Sequence, residues 1–175
     1  MANEGNIFKD LTCEKIATAL LGKEEYKLIT FAGIPTEYNI FQLTGAVRIG
    51  DIHGHVDTII EAVASTAYLQ LYSTAPSTVD ISDNAGTQLN GIVVGSLLSR
   101  NAPSTSILDL AEPDGAAKMS ENTNWRDPIT YIDIVADDSN PTYIRLVLSA
   151  ALASGAIHWH CRWQPLSEDG LLVPV

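Results

Sequence analysis

The sequence predicts a mainly β single domain, a β-sandwich of jelly-roll type, with a short helix near the N-terminus. Two observations lead to this fold class. Apolar and polar residues alternate along several stretches after Lys23, as they do in strands with one buried face. Clusters of turn-forming residues separate those stretches, a pattern typical of sandwiches and rolls. The 175 residues fit one domain, which we divide into an N-terminal arm (residues 1–25) and a β-sandwich (residues 26–175).

The arm contains the one convincing helix pattern, over residues 14–21, which ends before Gly22. An apolar stripe on this helix adjoins a basic residue, and together they form the candidate partner-binding set: Ile16, Leu20, Leu21 and Lys23. Packing of such a stripe on its own domain is the commoner arrangement. Docking on a partner is the alternative, and the sequence leaves both open.

Strand-like alternation is most regular in residues 67–72, 131–134 and 143–148. Their predicted inward residues are Ala67, Leu69, Leu71, Ile132, Ile134, Ile144, Leu146 and Leu148. Further strand candidates are residues 26–31, 46–49, 91–98 and 156–163. Turns are expected at residues 83–86, 101–104 and 138–141, and residues 103–127 have the most loop-like composition.

Charge and composition argue against several classes of partner. The formal net charge is −11, and no Lys or Arg lies between Arg48 and Arg100, so the basic stripe of a nucleic-acid-binding protein is missing. No apolar run approaches the ~18 residues that span a bilayer, and residues 1–9 do not resemble a secretory signal. Cys13 and Cys161 are isolated, which favours synthesis in a reducing cytoplasm, although their pairing stays open.

All four histidines occur in two His-x-His pairs, formed by His53, His55, His158 and His160. Residues two apart in a strand project from the same face, so each pair presents two imidazoles together. If the two strands were neighbours, with Asp51 and Asp57 in the first row, a His/carboxylate metal site of the kind found in cupins would become conceivable.

A second interpretation starts from the other face of the later strand, which carries the apolar row Ile157, Trp159, Cys161 and Trp163. Burial of that row turns His158 and His160 toward water or a neighbouring subunit. Arg162 shares their row and repels a divalent cation. We therefore expect no bound metal and no cofactor, and we keep the four histidines only as weak metal candidates.

Motifs of catalysis are also missing from the sequence. It contains no G-x-S-x-G elbow, no phosphate-binding glycine loop, no dinucleotide fingerprint and no C-x-x-C pair. Cys161 belongs to the apolar row, so we expect it to be a buried, unreactive thiol. The sequence predicts a protein that is not an enzyme.

A family resemblance lies in residues 142–167, where a strand-turn-strand unit ends in Pro165, Leu166 and Ser167 and is closed by residues 169–170. This segment resembles the end of small structural proteins of tailed bacteriophages, the capsid decoration (cement) proteins encoded beside a major capsid protein. The resemblance implies a β-sandwich or jelly roll that binds the outside of a capsid lattice and stabilises it against the pressure of packaged DNA. It carries over no catalytic residue.

These inferences together predict a virion structural protein on the capsid surface, made in the host cytoplasm. Its expected partners are the major capsid protein and further copies of itself, as a trimer rather than a dimer. A phage tail, baseplate or fibre component is the alternative within viruses. A cupin-like metal-dependent enzyme that uses the two His-x-His pairs is the alternative from another class.

Overall fold

A computed structural model describes residues 22–73, 78–100, 106–112, 131–136 and 139–175. The predicted helix and turn 101–104 lie outside these residues, as does most of the loop-like stretch. The described strands are, in chain order, β1 (Lys23–Thr30), β2 (Glu37–Thr44), β3 (Ala46–Thr58), β4 (Thr66–Ser73), β5 (Val79–Asp80), β6 (Thr87–Gln88), β7 (Leu97–Ser99), β8 (Asp109–Ala111), β9 (Ile132–Val135), β10 (Thr142–Leu148), β11 (Ala156–Pro165) and β12 (Leu171–Pro174).

The strands form two antiparallel sheets, which confirms the mainly β prediction. Sheet one has the order β1-β11-β3-β7-β8, and β9 pairs with another part of the long strand β3. Sheet two has the order β12-β2-β10-β4-β5, with β6 also on β4. Apolar side chains of both sheets make one core, in which Trp159, Trp163 and Phe41 are the largest fully buried side chains. This arrangement is a β-sandwich.

Strand pairing follows a regular order along the chain. The four strands β1 to β4 alternate between the sheets. The later strands return in the opposite order, so that β5 and β6 pair with β4, β7 and β9 with β3, β10 with β2 and β11 with β1. Each pair is antiparallel. The first strand of this order, β1, and the last, β11, lie side by side.

Several strand predictions are confirmed in detail. In β10 the predicted row Ile144, Leu146 and Leu148 is buried, and in β11 every second residue from Ile157 to Trp163 is buried. The candidate strand 91–98 is wrong for most of its length, because only Leu97–Ser99 is extended. Gly91 and Gly95 have φ values of +68° and +86°, so they form turns instead of strand.

The structure differs from the sequence prediction at two further places, the start of sheet one and strand β2. β1 begins at Lys23, so residues 23–25, which we placed in the arm, are part of sheet one. β2 is absent from the sequence prediction. Its partner β10 meets it with a register shift next to Ile40, and Ile40 and Phe41 are both buried, so the alternation that marks a strand is broken there.

Candidate functional site

The outer face of sheet one carries the histidine side chains of the protein. In β11 the apolar row of four is 0–1% exposed and points into the core. His158 and His160 therefore project from the opposite side, where both are half-buried, as the alternation of the strand predicts.

Strand register brings the two His-x-His pairs together. β11 pairs with β3, and in that pairing His160 is opposite His53 while His158 is opposite His55. The four imidazoles, from here on the histidine face, lie on neighbouring strands on the outside of the sandwich. Asp57 lies at a register shift of β3, so the carboxylate row expected from the sequence does not continue regularly past His55.

Ring contacts on the histidine face centre on His160. Its ring centroid lies 5.1 Å from that of His53, with the planes 6° apart, and 5.0 Å from that of His158, with the planes 53° apart. Tyr26 of β1 packs edge-on against His158 at 5.4 Å and lies 6.1 Å from His160. The three strands β1, β11 and β3 thus supply one continuous aromatic and imidazole surface.

Two carboxylates lie beside rings of the histidine face, and one of them orients a ring through a hydrogen bond. Nδ1 of His53 lies 2.9 Å from Oδ2 of Asp51. Because a carboxylate only accepts, the hydrogen of a neutral His53 ring is on Nδ1 and the lone pair is on Nε2. Nδ1 of His160 lies 3.6 Å from Oε1 of Glu24, which is too long for a hydrogen bond but close enough for electrostatic attraction.

Titration of the histidine face is shaped by these neighbours. The hydrogen bond from His53 holds the pKa of Asp51 below its usual range, with a smaller contribution from the charge of Arg162. Burial lowers the pKa of His160, and the adjacent His53 and His158 lower it further. His160 is therefore mainly neutral at pH 7, with a nitrogen lone pair available.

Other candidate residues from the sequence are placed as follows. Cys161 is a free thiol buried in the core, and burial raises its pKa far above the usual range, so a thiolate nucleophile is not available there. Lys23 starts β1, and its ammonium lies 5.2 Å from the ring centroid of Trp163. Ile16, Leu20 and Leu21 lie outside the described residues.

No three histidine, cysteine or acidic side chains already converge as a metal site within the described ranges. The sequence predicted that each His-x-His pair projects from one face of its strand, but it did not show that the two pairs meet. Their contact joins residues about a hundred positions apart, and no local pattern specifies such a register.

A second surface, which sequence reasoning missed, lies where loops meet at one end of the sandwich. Backbone hydrogen bonds link the loops, including those from Gly33 to Leu152 and from Ile60 to Ile92. Exposed apolar side chains on these loops form what we call the apolar loop end: Ile34, Ile59, Val63, Val93 and Val94. Ile34 is 81% exposed. Apolar residues in irregular segments have no periodicity from which exposure could be predicted.

Comparison with protein-family models, curated proteins and solved structures gave no significant match to this chain. No helix in the described part of the chain has the length and apolar character needed to cross a membrane.

Proposed function

We propose that the protein is a non-enzymatic structural protein of a virus particle, a capsid decoration protein that binds the outer capsid lattice. The strand pairing carries the proposal: β1 to β4 alternate between the sheets and the later strands return beside them in reverse order. We propose that this sandwich is a jelly roll, an architecture used by viral capsid domains as well as by lectins and cupins. The resemblance of residues 142–170 to phage decoration proteins favours the first of these uses.

The placement of reactive side chains supports a non-enzymatic role. Substrate pockets are usually concave and partly apolar, whereas the histidine face is the outer surface of a sheet. Cys161, which follows His160 in the sequence, is a buried, protonated thiol, as expected from its place in the apolar row. These observations weigh against the cupin-like alternative, in which the four histidines would form an enclosed catalytic site.

The N-terminal arm joins the sandwich at the end opposite the apolar loop end. Gly22 precedes β1 beside Trp163 and Gln164, so the N-terminal arm joins the domain at that end. β1 then runs to Thr30, which is opposite Ala156, next to the apolar loop end. We propose that the arm, with Ile16, Leu20, Leu21 and Lys23, contacts the major capsid protein.

The apolar loop end is then the proposed contact between copies of the chain. Exposed apolar clusters on a small domain commonly mark protein contacts, and a symmetric oligomer multiplies weak individual contacts through effective concentration. We propose a homotrimer on a capsid symmetry axis, with the particle surface as its final location after synthesis in the host cytoplasm.

Reconstitution with particles that lack the protein tests both contacts separately. One variant deletes residues 1–21, which leaves β1 intact because the strand starts at Lys23. The other replaces Ile34 and Val94 with Ser, which changes only exposed side chains. Sedimentation with the particles measures attachment, and light scattering of the free protein measures the oligomer.

The arm deletion should abolish attachment and leave the trimer, while the double Ser variant should dissociate the trimer and lower occupancy. Full occupancy by the deletion variant would contradict the role of the arm. A trimer that survives both Ser substitutions would contradict the role of the apolar loop end. Circular dichroism of each variant shows whether it is folded before either result is used.

A further inference from the structure

The histidine face has the features of a metal site that the sequence alone did not support. We infer that it binds one divalent transition-metal ion of the Zn²⁺, Ni²⁺ or Cu²⁺ class, with His53 and His160 as the first two ligands and His158 as the third. This inference replaces the expectation of no bound metal. It concerns the free protein and does not depend on the proposed role in a virus particle.

Ring separation is the first observation in its favour. A zinc–nitrogen distance of about 2.0–2.1 Å places the ring centroid roughly 3.2 Å from the metal, so two rings on a tetrahedral ion have centroids about 5.2 Å apart. The centroids of His53 and His160 are 5.1 Å apart, and those of His158 and His160 are 5.0 Å apart. Each of these two pairs of rings is spaced as two ligands of one ion would be.

What the free protein lacks is the orientation of the rings. The planes of His53 and His160 are nearly parallel, and no three ligands yet converge among the described side chains. Rotation about the outer torsion of an imidazole is soft, so turning the ring of His160 toward an ion on His53 is a small change that leaves the hydrogen bond between His53 and Asp51 in place. The face is partly exposed, which leaves room for the rotation and for water at the remaining coordination position.

Carboxylate partners provide the second observation. Histidine ligands of metals usually donate the other ring N–H to a carboxylate or carbonyl, which fixes the tautomer and makes the ligand more basic. Asp51 accepts from Nδ1 of His53 at 2.9 Å, and Glu24 lies 3.6 Å from Nδ1 of His160. The hydrogen bond to Asp51 leaves Nε2 of His53 as its metal-binding nitrogen, whereas Glu24 offers His160 electrostatic attraction without a hydrogen bond.

The sequence suggested that Arg162 would repel a cation, but the local charge in the structure does not oppose one. Arg162 is opposite Asp51 in the pairing of β11 with β3, and the charges of the two side chains attract each other. Glu24 adds a further negative charge on β1.

His55 provides a matched control because it belongs to the same face and strand. The observed ring contacts join His160 to His53 and to His158, while His55 is exposed beside them. Replacing His55 with Asn therefore removes one imidazole from the face without removing a proposed ligand.

The test is isothermal titration calorimetry of untagged, chelator-stripped protein with ZnCl₂ and, separately, NiCl₂. We expect one ion per chain. His160→Asn and His53→Asn should each weaken binding about 10-fold or more, and Asp51→Asn should weaken it about 10-fold through the orientation of His53. His55→Asn should bind like the unchanged protein.

Absence of binding by the unchanged protein would overturn the inference, and so would a His55→Asn variant that loses as much affinity as His160→Asn. Because the substituted side chains face outward, the variants are expected to fold, and circular dichroism checks this. If His160→Asn does not fold, His53→Asn carries the same test. A zinc-dependent rise in melting temperature, absent from the folded His53→Asn variant, is a second supporting result.

Discussion

Gly54 lies opposite Trp159 where β3 pairs with β11. A Cβ atom at Gly54 would lie 2.7 Å from Cγ2 of Ile157 and 3.1 Å from two atoms of the Trp159 ring. The glycine between His53 and His55 thus leaves room for the core beneath the histidine face. The two imidazoles outside and the indole inside are parts of one packing arrangement.

Gly54→Ala should therefore destabilise the protein by about 1–3 kcal/mol, the usual cost of overpacking a core. Gly50 is the matched control on the same strand, since a Cβ there meets its nearest atom, on Tyr131, at 3.5 Å. Urea denaturation of both variants measures the difference. Equal stability of the two alanine variants would show that the indole does not fill the space above Gly54.

Trp159→Ala should cost about 3–5 kcal/mol, because the side chain is fully buried and leaves a large cavity. Trp159→Phe should cost less, since it keeps an aromatic ring and removes Nε1, which has no hydrogen-bond partner in the described structure. The free energy of unfolding of each variant measures these two costs. An alanine variant with the original melting temperature would mean that β11 is out of register by one residue.

Arg145 lies on the outside of sheet two and should contribute more to the free energy of unfolding than an ordinary surface arginine does. It is 11% exposed, donates to Oε1 of the buried Gln70 and to Glu37, and lies 4.0 Å from the ring centroid of Tyr72. Arg145→Met removes the donor from Oε1 of the buried Gln70, whereas water can hydrate the half-exposed Glu37, and we expect a loss of about 1–3 kcal/mol in unfolding free energy.

Arg48→Met is the comparison for Arg145, because Arg48 pairs with Asp133 in an exposed ion pair. Exposed ion pairs contribute little and weaken with salt. The Arg48 variant should lose less stability than the Arg145 variant at every salt concentration. A larger loss for Arg48→Met would contradict the assignment of Arg145 as a partly buried hydrogen-bonding centre.

Stability should fall as the solution becomes mildly acidic, in the presence of a chelator. The pKa of His160 in the folded protein lies below its ordinary value of 6.5. The unfolded chain therefore takes up the proton more readily, and this part of the stability is complete above about pH 6.5 and is lost as the pH falls through the native pKa. Glu24 opposes this shift but does not reverse it.

The urea midpoint, followed from about pH 7.5 to pH 5, measures this effect. The His160→Asn variant should show a shallower decline than the unchanged protein over that interval. His55→Asn serves as the control for removing one imidazole from the face. If the urea midpoint of His160→Asn falls with pH as steeply as that of the unchanged protein, protonation of His160 is not coupled to unfolding.

Sequence reasoning succeeded where one buried face dominated a strand. In β11 two tryptophans and a cysteine decide which side is inward, so both the strand and the outward position of His158 and His160 could be predicted. β2 could not be found in this way, because Ile40 and Phe41 are adjacent and both buried. The contact of His53 with His160 depends on long-range register, and the exposure of Ile34 depends on how separate loops meet.

Copy number in purified particles tests the central claim most directly. If the chain is the decoration protein that we propose, quantitative mass spectrometry of the purified virus particles should find it in a fixed ratio to the major capsid protein, set by the symmetry of the lattice. A few copies per particle would contradict decoration and favour the tail, baseplate or fibre alternative. Absence from the particles would contradict the proposal that the protein is structural.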